Sequence, residues 1–171
     1  MSNLKLFWKI EGGRRKLFLR NNLNNILECN PYKSKLAASI FNGLEIFPFS
    51  DNEKILIIGE NIENETKEIF KTIFSNKSIY ENYFDSNLIE LENISILYVN
   101  VTSVKEWHIL KDDFFMNLPS RVFIFFMINK NVYKEIKNIL KMNLKGKLDL
   151  IQEINLGNFF YEEFLLVYLR R

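Results

Sequence analysis

Hydrophobic positions along this chain switch between two periods. Leu4–Ile10 and Lys16–Arg20 are short, loosely alternating runs on either side of Glu11-Gly12-Gly13-Arg14, and they predict a β-hairpin. Asn21–Asn25 reads as a polar loop. Leu36, Ile40 and Leu44 then recur at helical spacing, with Ala37 and Phe41 beside them. Asn30 is the expected N-cap of that helix and Pro31 its first residue, while Gly43 and Phe47-Pro48 mark its end. Ile55–Ile58 is an unbroken apolar run, as expected of a strand covered on both faces, and it ends at Gly59. Glu63–Phe74 predicts a helix with Ile69, Phe70, Ile73 and Phe74 inward. Ser78–Phe84, Ile94–Val101 and Arg121–Ile128 predict strands, the last one central; Lys105–Leu118 and Val132–Leu144 predict helices. Leu148–Leu156 and Glu163–Leu169 leave no room for a helix between them, so they predict an antiparallel pair. Strands alternating with helices and closed by a hairpin give an α/β class with a mostly parallel, doubly wound sheet.

Composition narrows the picture. The 171 residues are 47% hydrophobic, with 16 phenylalanines, enough for one domain with a substantial core. The longest apolar run, Val122–Ile128, is strand-sized, so no membrane span is expected, and no secretory leader is evident. Cys29 is the only cysteine, which excludes an internal disulfide framework and suggests an intracellular protein. Residues 1–35 carry eight basic and two acidic side chains, against fifteen and nineteen in the remainder. That asymmetry suggests a polyanion or an acidic partner near the N-terminus. Arg14, Arg15 and Lys16, with Trp8 nearby, are the first candidate RNA contacts; Lys134, Lys137, Lys141 and Lys145, on one helix face, are the second. Phe47, Phe49, Trp107, Phe114 and Phe115 are candidates for an exposed docking surface. One histidine, His108, and one cysteine make no zinc site, and neither a phosphate-binding Walker loop nor a serine-nucleophile elbow is present.

Asn30-Pro31-Tyr32-Lys33-Ser34-Lys35-Leu36-Ala37-Ala38 closely resembles the N-P-x-R-S-K-L-A-A signature of fibrillarin, the box C/D RNA 2′-O-methyltransferase family. The likeness continues through Gly43-Leu44, Pro48 and the strand Ile55–Gly59, which resembles the family's V-L-Y-L-G. It extends, more weakly, through Ile96–Val101, Phe123–Asn131 and Leu148–Leu169. The resemblance implies a methyltransferase-type Rossmann-like sheet over residues 30–171, whose last strand inserts antiparallel. Residues 1–29 are then a short hairpin remnant of the family's N-terminal domain. Between Gly59 and Asn100 the family has two strands with their helices; here only Ser78–Phe84 fits, so loss of an edge strand and a helix is expected.

The implied S-adenosylmethionine site is degenerate. The family's G-x-x-x-G-T-T turn is Gly59-Glu60-Asn61-Ile62-Glu63-Asn64-Glu65 here, with Glu63 at the second glycine's position. Carboxylates at Glu60, Glu63 and Glu65 oppose the cofactor's own carboxylate. Tyr83 stands at the ribose-binding position, with Glu81 and Asp85 displaced. Of the implied Lys-Asp-Lys-His set, Lys35 matches the first lysine and Asn100 replaces the aspartate. Asn129 falls on the second lysine, one place from Lys130, and Glu162 or Glu163 stands in the histidine's region. Such groups act as a unit, so Lys35 is expected to be a remnant rather than a catalyst.

The expected function is therefore a catalytically inactive fibrillarin paralogue without bound S-adenosylmethionine. It would serve as a structural subunit of a ribonucleoprotein, held by a Nop-family scaffold protein and meeting guide RNA or rRNA directly or through the complex. The alternatives are a divergent active RNA 2′-O-methyltransferase, which needs Glu81 and Lys130 in the site, and a direct, ribosome-associated RNA binder. The resemblance implies the cytoplasm of an archaeal cell, the preferred placement, or the nucleolus or nucleus of a eukaryotic one.

Overall fold

The computed structural model describes residues 5–50, 53–74, 79–82, 93–103, 105, 114, 115 and 117–171, without the side chains of 80–82 and 143. The described residues form two sheets, one of three strands and one of six. The smaller is antiparallel, in the order β1 (Lys5–Glu11), β2 (Arg14–Arg20), β3 (Ile26–Cys29). The larger has six strands in the order β5-β4-β6-β7-β9-β8. These are β4 (Ile55–Ile58), β5 (Ile79–Asn82), β6 (Ile96–Val101), β7 (Phe123–Asn129), β8 (Leu148–Asn155) and β9 (Glu163–Arg170). β5, β4, β6 and β7 run parallel; β9 lies antiparallel between β7 and β8. The sheet is thus the expected mixed α/β arrangement with its closing hairpin. Between β4 and β6 the described residues hold a single strand, β5, at the sheet edge; residues 83–92 lie outside them.

The period of two sorts each strand onto two cores. On one face Leu97, Val99, Ile124, Phe126 and Leu166 pack with Val132, Ile136 and Leu140 of α3 (Lys130–Asn143). On the other, Ile57, Tyr98, Phe125, Met127 and Val167 pack with Leu36 of α1 (Lys35–Phe41) and Ile69, Phe70 and Ile73 of α2 (Asn64–Ile73). Coverage on both sides explains the unbroken apolar runs of β4 and β7. Leu17, Leu19 and Cys29 belong to this second core, so the N-terminal sheet is packed onto the α1–α2 face. The predicted helix Lys105–Leu118 lies mostly outside the described residues; Phe114, Phe115 and Leu118 are buried against the first face. Among the described residues no helix is long and apolar enough to cross a membrane.

Two expectations change. The N-terminal segment is three-stranded, not a hairpin: Ile26–Cys29 pairs with β2. Gly12 and Gly13, both at positive φ, make the tight turn of the expected first hairpin. The first helix begins at Lys35 rather than Pro31. The Asn30 side chain accepts from the Tyr32 N–H at 2.9 Å and its carbonyl from the N–H groups of Lys33 and Ser34. Asn30 and Pro31 therefore close a turn, and Ser34 is the cap, its hydroxyl accepting from the Ala37 N–H at 3.1 Å.

Gly59 ends β4 at φ +121°, and a Cβ there would lie 2.4 Å from the Asn100 carbonyl oxygen. Its lack of a side chain serves chain-to-chain approach between β4 and β6. Gly59→Ala is expected to lower stability by about 3 kcal/mol or more, read from urea unfolding. A loss under about 1 kcal/mol would show that the strand ends can part.

Candidate functional site

The site sits where β4, β6 and β7 end and the antiparallel β9 begins. Lys35, the first residue of α1, points its ammonium there, and only 9% of its side chain is exposed. The Nζ donates to Asn100 Oδ1 at 3.2 Å and pairs with Glu63 Oε1 at 3.5 Å and Glu163 Oε1 at 3.4 Å. An ammonium has three protons, and here it faces three acceptors. Each comes from a different element: β6, the N-cap position of α2, and the first residue of β9.

The acceptors are themselves held. Asn100 Nδ2 donates to the Glu60 carbonyl at 2.7 Å, which ties β6 to the turn after β4. Thr66 Oγ1 donates to Glu63 Oε2 at 2.9 Å. With its one proton so used, Thr66 accepts from the Ser34 hydroxyl, 2.7 Å away. Ser34 and Thr66 are fully buried. The Tyr98 hydroxyl is also buried, without a well-formed hydrogen bond. Burial above all, then the carboxylates of Glu63 and Glu163, holds its pKa well above the ordinary tyrosine value.

Three of the positions that depart from the family pattern thus close on Lys35. Glu63, expected to repel a cofactor carboxylate, turns inward to the lysine, as does Glu163 from the region expected to hold a histidine. Asn100 does what an aspartate could not, accepting from Lys35 and donating to Glu60 together. The Glu60 side chain is exposed and that of Glu65 half-buried. Lys130 does not join: its ammonium pairs with Glu162 at 2.7 Å on the surface. Asn129 caps α3, accepting from the Asn131 N–H at 3.0 Å. Glu81 pairs by its backbone with Ile57, and its side chain, like Tyr83, Asp85 and His108, lies outside the described residues. Among the described residues no group of histidine, cysteine and carboxylate side chains is arranged to hold a metal.

The structure also redistributes the proposed surface residues. Lys16 is held by Glu28 at 3.0 Å and Glu11 at 3.4 Å, whereas Arg14 and Arg15 are exposed. On α3 Lys134 and Lys141 are exposed, but Lys137 is engaged by Glu153 and the Tyr133 hydroxyl, and Lys145, also exposed, lies past the helix end and does not continue the expected stripe. Those two contacts raise the Lys137 pKa. Phe49, Phe114 and Phe115 are core and Phe47 packs against it, so these do not form the expected docking surface. Trp107 lies outside the described residues.

No protein-family model and no curated protein matches the sequence. Solved structures do match. Methanococcus jannaschii fibrillarin, a pre-rRNA processing protein, aligns at 17% identity over 99% of each chain, with a TM-score of 0.68. A chain of a fibrillarin/Nop5p complex aligns at 15% identity over 96% of this chain and 97% of its own, with a TM-score of 0.66. Aeropyrum pernix fibrillarin, with natively bound S-adenosyl-L-methionine, aligns at 14% identity over 99% of this chain and 100% of its own, with a TM-score of 0.61. The fold is fibrillarin-like. The likeness takes in the N-terminal sheet as well as residues 30–171, since 99% of the chain is covered.

A buried cation with two carboxylates is costly to leave incomplete. Lys35→Met is expected to cost about 3–5 kcal/mol in urea unfolding, because Glu63 and Glu163 are left facing each other without a counter-charge. Adding Glu63→Gln and Glu163→Gln should recover most of that loss. Equal instability of the single and triple variants would mean that packing, not charge, is what Lys35 supplies.

Proposed function

We propose that this chain is a non-catalytic, fibrillarin-like structural subunit of a ribonucleoprotein. The observation that carries the reading is the sequestration of Lys35 by Asn100, Glu63 and Glu163. A lysine that positions or helps deprotonate a substrate hydroxyl must present its ammonium to the substrate. This one is consumed within the protein, with no aspartate partner among the described residues and with Lys130 drawn away to Glu162. That last pairing weighs against the divergent-methyltransferase alternative.

The residues at the turn after β4 do not suit S-adenosylmethionine. Glu63 adds a carboxylate at the N-terminal end of α2, Asn61 adopts a left-handed backbone, and Gly59 is packed against Asn100. A ligand carrying its own carboxylate would meet fixed negative charge there. Loss of the cofactor accordingly belongs to the proposal.

Partnership with a Nop-family scaffold rests on the fold it shares with a chain of the fibrillarin/Nop5p complex. Guide RNA or rRNA is then reached through that complex or directly. The same reading carries localisation: cytoplasm in an archaeal cell, nucleolus in a eukaryotic one.

Titration calorimetry with S-adenosylmethionine is expected to give no binding heat up to about millimolar concentration, the weak end of specific affinities. Co-expression with a Nop-family protein should give a stable complex on gel filtration. Micromolar cofactor binding, or methyl transfer lost in Lys35→Ala, would replace this reading with that of a divergent enzyme.

A further inference from the structure

A groove of about 570 Å³ runs between the N-terminal sheet and the loop joining β8 to β9. Its polar wall carries Arg14 and Arg15, and its apolar wall Tyr32, Phe41 and Phe159. The aromatic rings form a continuous row. Trp8 meets Phe41 edge-on at 4.6 Å, Phe41 meets Phe159 at 5.6 Å, and Phe159 meets Tyr32 at 5.1 Å. Tyr32 closes the row and is 70% exposed, so its ring is open to a partner. Arg15 lies over the Trp8 ring at 4.1 Å. In β2, Arg15 shares a face with Leu17 and Leu19, whose side chains enter the core, so the guanidinium overhangs α1.

Charge decides which occupant suits this groove. Both acidic residues of the first 35, Glu11 and Glu28, turn to Lys16. Glu28 lines the groove with them and Glu11 lies directly across the hairpin from Arg14, so Arg14, Arg15 and Lys16 outweigh the two carboxylates by one charge, and the groove keeps a net positive wall beside a row of rings. Guanidinium groups match phosphate oxygens bidentately, and a stacked guanidinium is already oriented for that contact. Exposed aromatic rings offer stacking surfaces to any base. A base paired in a duplex has its faces covered by its neighbours, so the rings require an unpaired strand.

We propose that this groove binds single-stranded nucleic acid, with the backbone along Arg14 and Arg15 and bases stacked on Tyr32 and Phe159. Its volume suits roughly one or two nucleotides, the remainder of the strand lying outside it. The site is separate from the Lys35 network and does not depend on the loss of methyl transfer. It adds to the structural-subunit reading a direct contact with the RNA of the particle.

The test uses the full chain and a fluorescein-labelled single-stranded oligouridine of about twelve nucleotides, followed by anisotropy from about 50 to 300 mM salt. The same RNA annealed to its complement is the second probe. Tyr32→Ala is expected to weaken single-strand binding about tenfold at constant salt, and circular dichroism checks that this exposed change spares the fold. Arg14→Ala with Arg15→Ala is expected to reduce the slope of log affinity against log salt by about 1–2. Lys134→Ala with Lys141→Ala, on α3, should leave binding unchanged. No binding, tighter binding to the duplex, or loss only in the α3 variant would overturn the proposal. So would equal competition by polyglutamate, which would make the groove a generic acidic-peptide site. Cofactor calorimetry on the same sample reports on the Lys35 reading separately.

Discussion

A single ammonium group, buried where four elements meet, sets the condition that the functional end of this protein satisfies. Removing Lys35 from water is tolerable only because Asn100, Glu63 and Glu163 surround it. Those partners pin the N-terminus of α1, the N-cap of α2, the end of β6 and the start of β9 to one point. The second layer, from Ser34 through Thr66 and from Asn100 to the Glu60 carbonyl, fixes the turn after β4. In an open α/β sheet this end is where ligands dock. Here that end carries the Lys35 network.

The sheet was legible in the sequence because burial on both faces leaves unbroken apolar runs such as Ile55–Ile58 and Phe123–Ile128. The closing hairpin was legible from the short distance between its strands. Local chemistry misled at Asn30-Pro31, where a turn-former and a helix-starter carry the same letters; only the Ser34 hydroxyl bond to Ala37 separates the two. Ile26–Cys29 was missed because a four-residue strand with two exposed positions gives little alternation to read. The surplus of phenylalanine suggested a surface, yet Phe49 packs against Phe70, Phe74 and Phe125 in the core.

The site was legible in one half only. The replaced positions, Glu63, Asn100 and the glutamates near the end, could be identified from the fibrillarin resemblance. Their convergence on Lys35 could not, since Glu63 and Glu163 lie far apart in the chain and no periodicity links them. The groove shows the same division. Arg14 and Arg15 stood out as charge, whereas Phe41 was placed only beside the helical positions and Phe159 gave no signal until the fold set their rings side by side with Tyr32 and Trp8.

The amide at position 100 also restricts which substitutions the site accepts. Asn100 gives one hydrogen bond and accepts another, and the cluster around Lys35 holds two carboxylates against one ammonium. An aspartate there would add a third negative charge and could not donate to the Glu60 carbonyl. An aspartate at position 100 is therefore opposed for as long as Glu63 and Glu163 remain. The positions interlock: Asn100 can give way to an aspartate only together with changes at Glu63 and Glu163.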